Sequence, residues 1–370
     1  MQEMLMAAGR QLFARCGVLL TLLVLSVGCA GGTTGPQPSG APAGGTARAT
    51  TPSATAGATA QAKITVGHAF ITVETLPIWI ALDQGIYRKY GLDVTPASFQ
   101  TSAQLAPAMS TGEVQIGLTT GAGVTEFNLA GGDQVIVAGY SDTMRYFLYA
   151  RDPAIQQLED LRGKRVGITR RGGAIDHAAH IFTERAGLVY GRDVPIIELG
   201  TAQNQVGAIT AGAVDAVVVA VPTNLQVERE GARLITDTKQ LGVPYVPNAI
   251  AVQRSYLQAN RDVVRRFLQA HIEAVETIKR DRELAKRVLA ANLKTDDEEI
   301  LTRSIQLFVD DLQAVPYPSE QGLRTVLEFA QDEARRQGHP PARSLQPADY
   351  VDDSLVRELD QTGFLRQVRG

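Results

Sequence analysis

The residues best suited to gripping a ligand gather in one short run, Thr169-Arg170-Arg171-Gly172-Gly173-Ala174. It follows the apolar stretch Arg165-Val166-Gly167-Ile168 and opens a helical pattern that extends from about Ala174 to Ala186. Glycines at such a junction let backbone N–H groups approach a ligand, and a helix N-terminus favours an anion. Arginine there adds a charge-assisted bond to a carboxylate or sulfonate. Arg170, Arg171, Gly172, Gly173 and, one turn on, Asp176 are therefore candidate binding residues. Polar residues recur in the same way after other apolar runs. Phe70, Thr72 and Glu74 follow one, and Gln100, Thr101 and Ser102 another. Thr119, Thr120 and Gly121 follow a third, Thr201 and Gln203 a fourth, and Pro222 and Thr223 a fifth. His177 and His180 share a helix face, but no carboxylate stands at matching spacing, so no metal site is expected. No cofactor motif is read either.

The elements that must position these residues come in two copies. Ile64-Thr65-Val66-Gly67 matches Lys164-Arg165-Val166-Gly167, Asp93-Val94 matches Asp193-Val194, and Ser110-Thr111-Gly112 matches Thr210-Ala211-Gly212. Each match lies 100 residues from its counterpart. Within each copy, short apolar strands alternate with helical stretches, which argues for a parallel sheet covered on both faces. Two copies imply two lobes with a cleft between them, and binding ahead of chemistry. Phe147-Leu148-Tyr149-Ala150 is expected to cross to the second lobe, and Asn248-Ala249-Ile250-Ala251-Val252 to return. From Asn260 onward the pattern is helical, with Val263, Phe267, Ile272, Val275 and Ile278 as an apolar stripe. The expected lobes are 63–147 with 249–370, and 148–248. Two alternatives stay open within this reading. Phe70 is either a stacking wall or core, and the lone tryptophan, Trp79, sits among apolar neighbours as a core residue would. Glu74 and Asp176 are partners either for a cationic ligand group or for Arg170 and Arg171 across the cleft.

Of 370 residues, 44% are hydrophobic and 20% charged, and the formal net charge is −3. That balance suits two compact domains and carries no nucleic-acid footprint. Residues 1–29 differ. Arg10 and Arg15 precede Gly17-Val18-Leu19-Leu20-Thr21-Leu22-Leu23-Val24-Leu25, an apolar core too short to span a bilayer yet suited to a secretory signal. The following Ser26-Val27-Gly28-Cys29 resembles the lipobox of bacterial lipoproteins, in which Cys29 would be acylated. The usual leucine three places before the cysteine is here Ser26, and simple secretory cleavage is the alternative. Cys16 lies within the signal and is the only other cysteine, so residues 30–370 offer no disulfide or thiol nucleophile. Residues 30–62 carry Arg48 as their only charge and no aromatic, a composition expected of a flexible tether with an r.m.s. span of about 30 Å.

The run Leu76-Pro77-Ile78-Trp79-Ile80-Ala81-Leu82-Asp83-Gln84-Gly85-Ile86-Tyr87-Arg88-Lys89-Tyr90-Gly91-Leu92-Asp93-Val94 resembles the opening motif of the periplasmic substrate-binding proteins of ABC transporters, in the nitrate/sulfonate/taurine and thiamine-precursor group (SsuA/THI5-like, NMT1-like domain). Ser110-Thr111-Gly112-Glu113-Val114-Gln115-Ile116-Gly117, Phe267-Leu268-Gln269-Ala270 and Pro347-Ala348-Asp349-Tyr350-Val351-Asp352 fit the same family. The resemblance spans nearly all of 63–370. It implies an α/β, two-lobed periplasmic-binding-protein fold of type II, each lobe a mostly parallel sheet flanked by helices, with two crossing hinge segments. It further implies a monomer that captures a small organic ligand of carboxylate, sulfonate or pyrimidine type and delivers it to an ABC permease from the outer side of the membrane. The family often has a hydroxyl residue just after the glycines; Ala174 stands there instead, a departure from a nitrate- or sulfonate-type site. Two rival readings share the architecture. One is an enzyme of the THI5 or menaquinone-pathway kind, disfavoured by the export signal and by the lack of the THI5 cysteine-rich motif. The other is a ligand sensor for a membrane partner.

Overall fold

A computed structural model describes residues 61–336, 338 and 346–370. The secretory signal, Cys29 and all but the last two residues of the 30–62 segment lie outside the described residues. The first copy of the repeat builds β1 (Ala62–His68), α1 (Leu76–Asp83), α2 (Ile86–Lys89), β2 (Leu92–Ser98), α3 (Ser102–Ser110), β3 (Ile116–Thr119), α4 (Gly121–Leu129) and β4 (Gln134–Ala138). A crossing strand, β5 (Phe147–Ala150), leads to the second copy. That copy comprises β6 (Val166–Ile168), α5 (Ala174–Arg185), β7 (Ile196–Glu198), α6 (Ala202–Thr210), β8 (Ala216–Val219), α7 (Thr223–Arg229) and β9 (Arg233–Asp237). The return strand β10 (Ala249–Gln253) precedes α8 (Arg254–Ala259), α9 (Arg261–Arg280), α10 (Arg282–Leu293), α11 (Glu298–Asp310), α12 (Glu320–Arg336), α13 (Ser354–Gln361) and α14 (Phe364–Arg369).

Two five-stranded sheets result, in the orders β2-β1-β3-β10-β4 and β7-β6-β8-β5-β9. They are the same arrangement twice. In each, four strands run one way and the inserted strand, contributed by a crossing segment, runs antiparallel between its neighbours. The repeat is preserved in register, with Gly67 opposite Gly117 and Gly167 opposite Val217. β3, β4 and β8 are buried along their whole length and largely apolar, as strands covered on both faces must be. Gly67 and Gly167 mark where neighbouring side chains lie close over the strands. A Cβ at Gly67 would lie 2.4 Å from Leu105 Cδ1 on α3, and one at Gly167 would lie 2.6 Å from Leu199 Cδ1.

Several boundaries differ from the sequence reading for local reasons. α6 begins at Ala202, because the Thr201 hydroxyl accepts the Asn204 N–H at 3.2 Å and caps it. Thr101 does the same for α3 through Gln104 N–H at 3.3 Å. On α9 the buried face runs through Val264, Phe267, Leu268, His271 and Ile278, while Val263 and Val275 sit at its margin. Trp79 is core, edge-on to His68 with ring centres 6.1 Å apart.

The lobes touch outside the sheets as well. Arg229 at the end of α7 pairs with Asp297 and Glu299 at the start of α11, and Glu228 pairs with Arg303. The Arg229 contact, followed by the Ile300 N–H, holds the Asp297 carboxyl below the usual carboxylate range. Elsewhere Phe329 of α12 stacks on His177 of α5 at 4.5 Å. The Gly67→Ala variant is expected to lose about 1–3 kcal/mol of stability, since the new methyl must displace Leu105. Urea denaturation would measure it, and an unchanged midpoint would show that α3 can retreat freely.

Candidate functional site

In both sheets the carboxyl ends of the parallel strands point toward the other lobe, and a cavity of about 540 Å³ lies between them. From the first lobe Phe70, Thr72, Glu74, Gln100, Thr101, Ser102 and Thr120 line it; from the second come Arg170, Gly173, Thr201, Gln203 and Thr223. The loop after β1 is held in shape by its own backbone. Both His68 Nδ1–H and the Thr75 hydroxyl donate to the Phe70 carbonyl, at 2.9 and 2.8 Å. Burial lowers the pKa of His68 and keeps the ring neutral.

Six expected residues fall outside the cavity wall. Thr119 ends β3 and is buried opposite Ala249. The Gly121 N–H donates to the Val246 carbonyl at 3.0 Å, and a Cβ there would lie 2.8 Å from Val246 Cβ, so this glycine lets the return segment pass. Arg171 turns outward to Glu198, 3.2 Å away, and lies over the Tyr190 ring. Gly172 takes a φ of +74°, and its N–H donates to Asp176 at 3.0 Å. Asp176 also accepts from the Tyr190 hydroxyl, so it braces the turn instead of facing a ligand. Pro222 is the residue before α7, and its neighbours Val221 and Thr223 reach the wall. Neither Glu74 nor Asp176 lies within ion-pair distance of Arg170 or Arg171. Arg170 instead reaches across the cleft to Glu126 of α4, at 3.5 Å. His177 bonds Tyr245 and His180 stacks on Tyr190, both as packing groups. Among the described residues no group of three or more His, Cys, Asp or Glu side chains is placed to hold a metal.

The crossing segments supply wall residues that the sequence reading did not single out for binding. Tyr140, Ser141, Thr143, Arg145 and Tyr146 come from the outward crossing, and Pro247 and Asn248 from the return. Asn248 Oδ1 accepts the Tyr140 N–H at 3.1 Å, and the Asp142 carbonyl accepts the Tyr245 N–H at 2.9 Å, so the two crossings are stitched together. Any segment that passes between lobes must run along the cleft, and that was the available signal. Phe308 and Asp311, at the end of α11, carry no such signal.

The electrostatics are uneven. Arg145 grips Asp311 with two donors, Nη2 at 2.5 Å, and Lys239 adds a third contact at 2.6 Å. The Glu126 carboxyl is pushed up by burial, an effect that Arg170 only partly offsets. Glu74 is likewise pushed up by burial, against a bond donated by the Thr72 hydroxyl. Around these groups the cavity is rich in donors. The N-termini of α3, α4, α5 and α6 open onto it. The hydroxyls of Thr101, Thr120 and Thr201 accept from their own helices, which leaves the O–H protons of Thr101 and Thr201 for a ligand, while the Thr120 and Ser102 hydroxyls lie 3.5 Å apart and share one bond. Partial positive charge at helix starts, hydroxyl donors and Arg170 together suit a small anion. Replacing Arg145 by Met leaves Asp311 with Lys239 alone. We expect Arg145→Met to cost about 2–3 kcal/mol, read by calorimetry, and a neutral substitution would mean that Asp311 is solvated.

The family model for NMT1/THI5 like proteins matches residues 72–285. A protein of Brachyspira hyodysenteriae described as a candidate ABC transporter periplasmic binding protein is 21% identical over 270 residues, spanning 69% of this chain and 75% of that one. The periplasmic aliphatic sulphonate binding protein SsuA of Escherichia coli has a TM-score of 0.65 at 18% identity, covering 78% of this chain and 92% of its own. The periplasmic nitrate-binding protein NrtA of Synechocystis has a TM-score of 0.66 at 17% identity, covering 82% and 89%. At such identities these structures show the fold, which is that of the two-lobed periplasmic binding proteins. With a family match over more than half of its length, the chain belongs to the NMT1/THI5 like family.

Proposed function

We propose that this protein is an exported solute-binding protein that captures a small organic anion between its lobes and presents it to an ABC importer, without chemical turnover. The observation that carries the reading is the convergence of four helix N-termini, three of them capped by threonine hydroxyls, and Arg170 on one cavity. Such a site binds negative charge through donors fixed before the ligand arrives. The descriptions of the Brachyspira relative, SsuA and NrtA favour the same reading. Lobes 63–147 with 249–370, and 148–248, would close about the two stitched crossings, a familiar hinge mechanism. In this reading the protein works as a monomer and is tethered by acylated Cys29, outside the cytoplasm and against the membrane.

Two outcomes test the proposal. A screen of small carboxylates and sulfonates should raise the unfolding temperature of the purified protein. Arg170→Gln should weaken the best binder by about tenfold, the loss of roughly one charge-assisted bond. Conversion of any such compound to product would replace the transport reading with an enzymatic one. Separately, Cys29→Ala should move the exported protein from the membrane fraction to the soluble fraction; retention at the membrane would remove the lipid anchor.

A further inference from the structure

The contact between Arg145, Asp311 and Lys239 passes through the wall of the cleft. Arg145 lines the inter-lobe cavity but not the bowl on the outer surface behind it. Lys239 lines that bowl but not the cavity, and Asp311 borders both. Side-chain exposure follows the same order, 38% at Lys239 against 17% at Arg145 and 13% at Asp311. One carboxylate is thus met from inside by a guanidinium and from outside by an ammonium, with Lys239 Nζ at 2.6 Å. Two positive charges against one negative leave a surplus, and the fork of Arg145 shows where it is presented. Nε and Nη2 both donate to Asp311, Nη2 at 2.5 Å. Nη1 donates to no group among the described residues, yet it is not sealed in the core as the Tyr140 hydroxyl is. A guanidinium held by two parallel bonds is oriented before any ligand arrives. Arg170 is held more loosely, by the Arg171 carbonyl at 3.1 Å and Glu126 at 3.5 Å. The other lining acid, Glu74, feels the charge of Asp311, and burial pushes its carboxyl toward the neutral form, which reduces what it subtracts from the surplus.

We infer that Arg145 is a second anion contact of the cleft, presenting its unbonded Nη1 arm to the ligand from the outward crossing, with Asp311 as the residue that positions it and Lys239 balancing Asp311 from behind the wall. This rests on the small-anion reading of the same site and deepens it. The ligand's negative charge is then met by a crossing segment as well as by the second lobe.

The test uses the purified full chain with propanesulfonate and benzoate as probes. Arg145→Lys keeps a cation for Asp311, but one ammonium cannot serve a carboxylate and a ligand as a fork does. Titration calorimetry should find the tighter-bound probe weakened about tenfold or more in Arg145→Lys. Lys239→Met, remote from the ligand, should weaken it about threefold, and Lys239→Arg should restore it. In protein carrying isotope-labelled arginine, the Arg145 Nη1 resonance, assigned by its loss in Arg145→Lys, should shift when the probe is added. Binding by folded Arg145→Lys within about twofold of the unaltered protein, or an Nη1 resonance that ignores the probe, overturns the role of Arg145 while the small-anion reading stands. Unchanged binding by Lys239→Met overturns the charge balance through the wall. Failure of both probes to bind the unaltered protein overturns both readings.

Discussion

A strand that enters a sheet from the far lobe must run against its neighbours. The carboxyl edges of both parallel sheets face the cleft, so a chain arriving from across it meets that edge first and can only proceed antiparallel. β5 and β10 obey this in mirror fashion, each lying between the third and fourth strands of the sheet it joins. The same constraint puts both crossing segments in the wall of the cavity. It also lets them bond to one another, through Tyr140 to Asn248 and Tyr245 to Asp142. The crossings and the floor of the cavity are thus the same residues. If the lobes close as proposed, motion about these crossings would reshape the site.

The second organising feature is how hydrogen-bonding capacity is divided. Helix N-termini need acceptors, and Thr101, Thr120 and Thr201 provide them; Thr101 and Thr201 keep their protons for the cavity. Acidic groups are mostly consumed internally. Asp311 goes to Arg145 and Lys239, Asp176 to Tyr190 and Gly172, Glu198 to Arg171, and Glu126 loosely to Arg170. What faces the open space is an excess of donors, with Glu74, bonded by the Thr72 hydroxyl, as a lining acid outside the described ion pairs. Outside the cleft, charged pairs between α7 and α11 and the stack of Phe329 on His177 hold the lobes together. Those pairs are largely exposed and screened by salt, so each contributes little to holding the lobes in place.

How far the site was legible depends on which link of the chain of causes is asked about. The internal repeat, the glycines at 67 and 167 and the polar residues after each apolar run were visible because they depend on local rules. A strand needs its period, a close-packed layer needs glycine, and a helix start needs a cap. Thr72, Gln100, Thr101, Arg170, Thr201 and Gln203 reach the cavity for that reason. Thr119 and Gly121 show the limit. They flank Thr120: one residue back along the strand the side chain reverses, so Thr119 faces the core, while Gly121 opens α4 with its backbone against the return segment. Arg170 and Arg171 divide the same way, one across the cleft and the other outward.

By itself the sequence determined that two like α/β lobes would exist, where the loops between their elements would fall, and that no thiol chemistry was available beyond residue 29. Only the tertiary structure decided which carboxylates would be spent on partners and which left facing the ligand. Asp311 lies 166 residues from Arg145 and 72 from Lys239, and no local pattern encodes such a meeting. Charge pairing is settled by distance in space, and that distance is fixed only when α11 packs beside the crossings and closes one wall of the cavity.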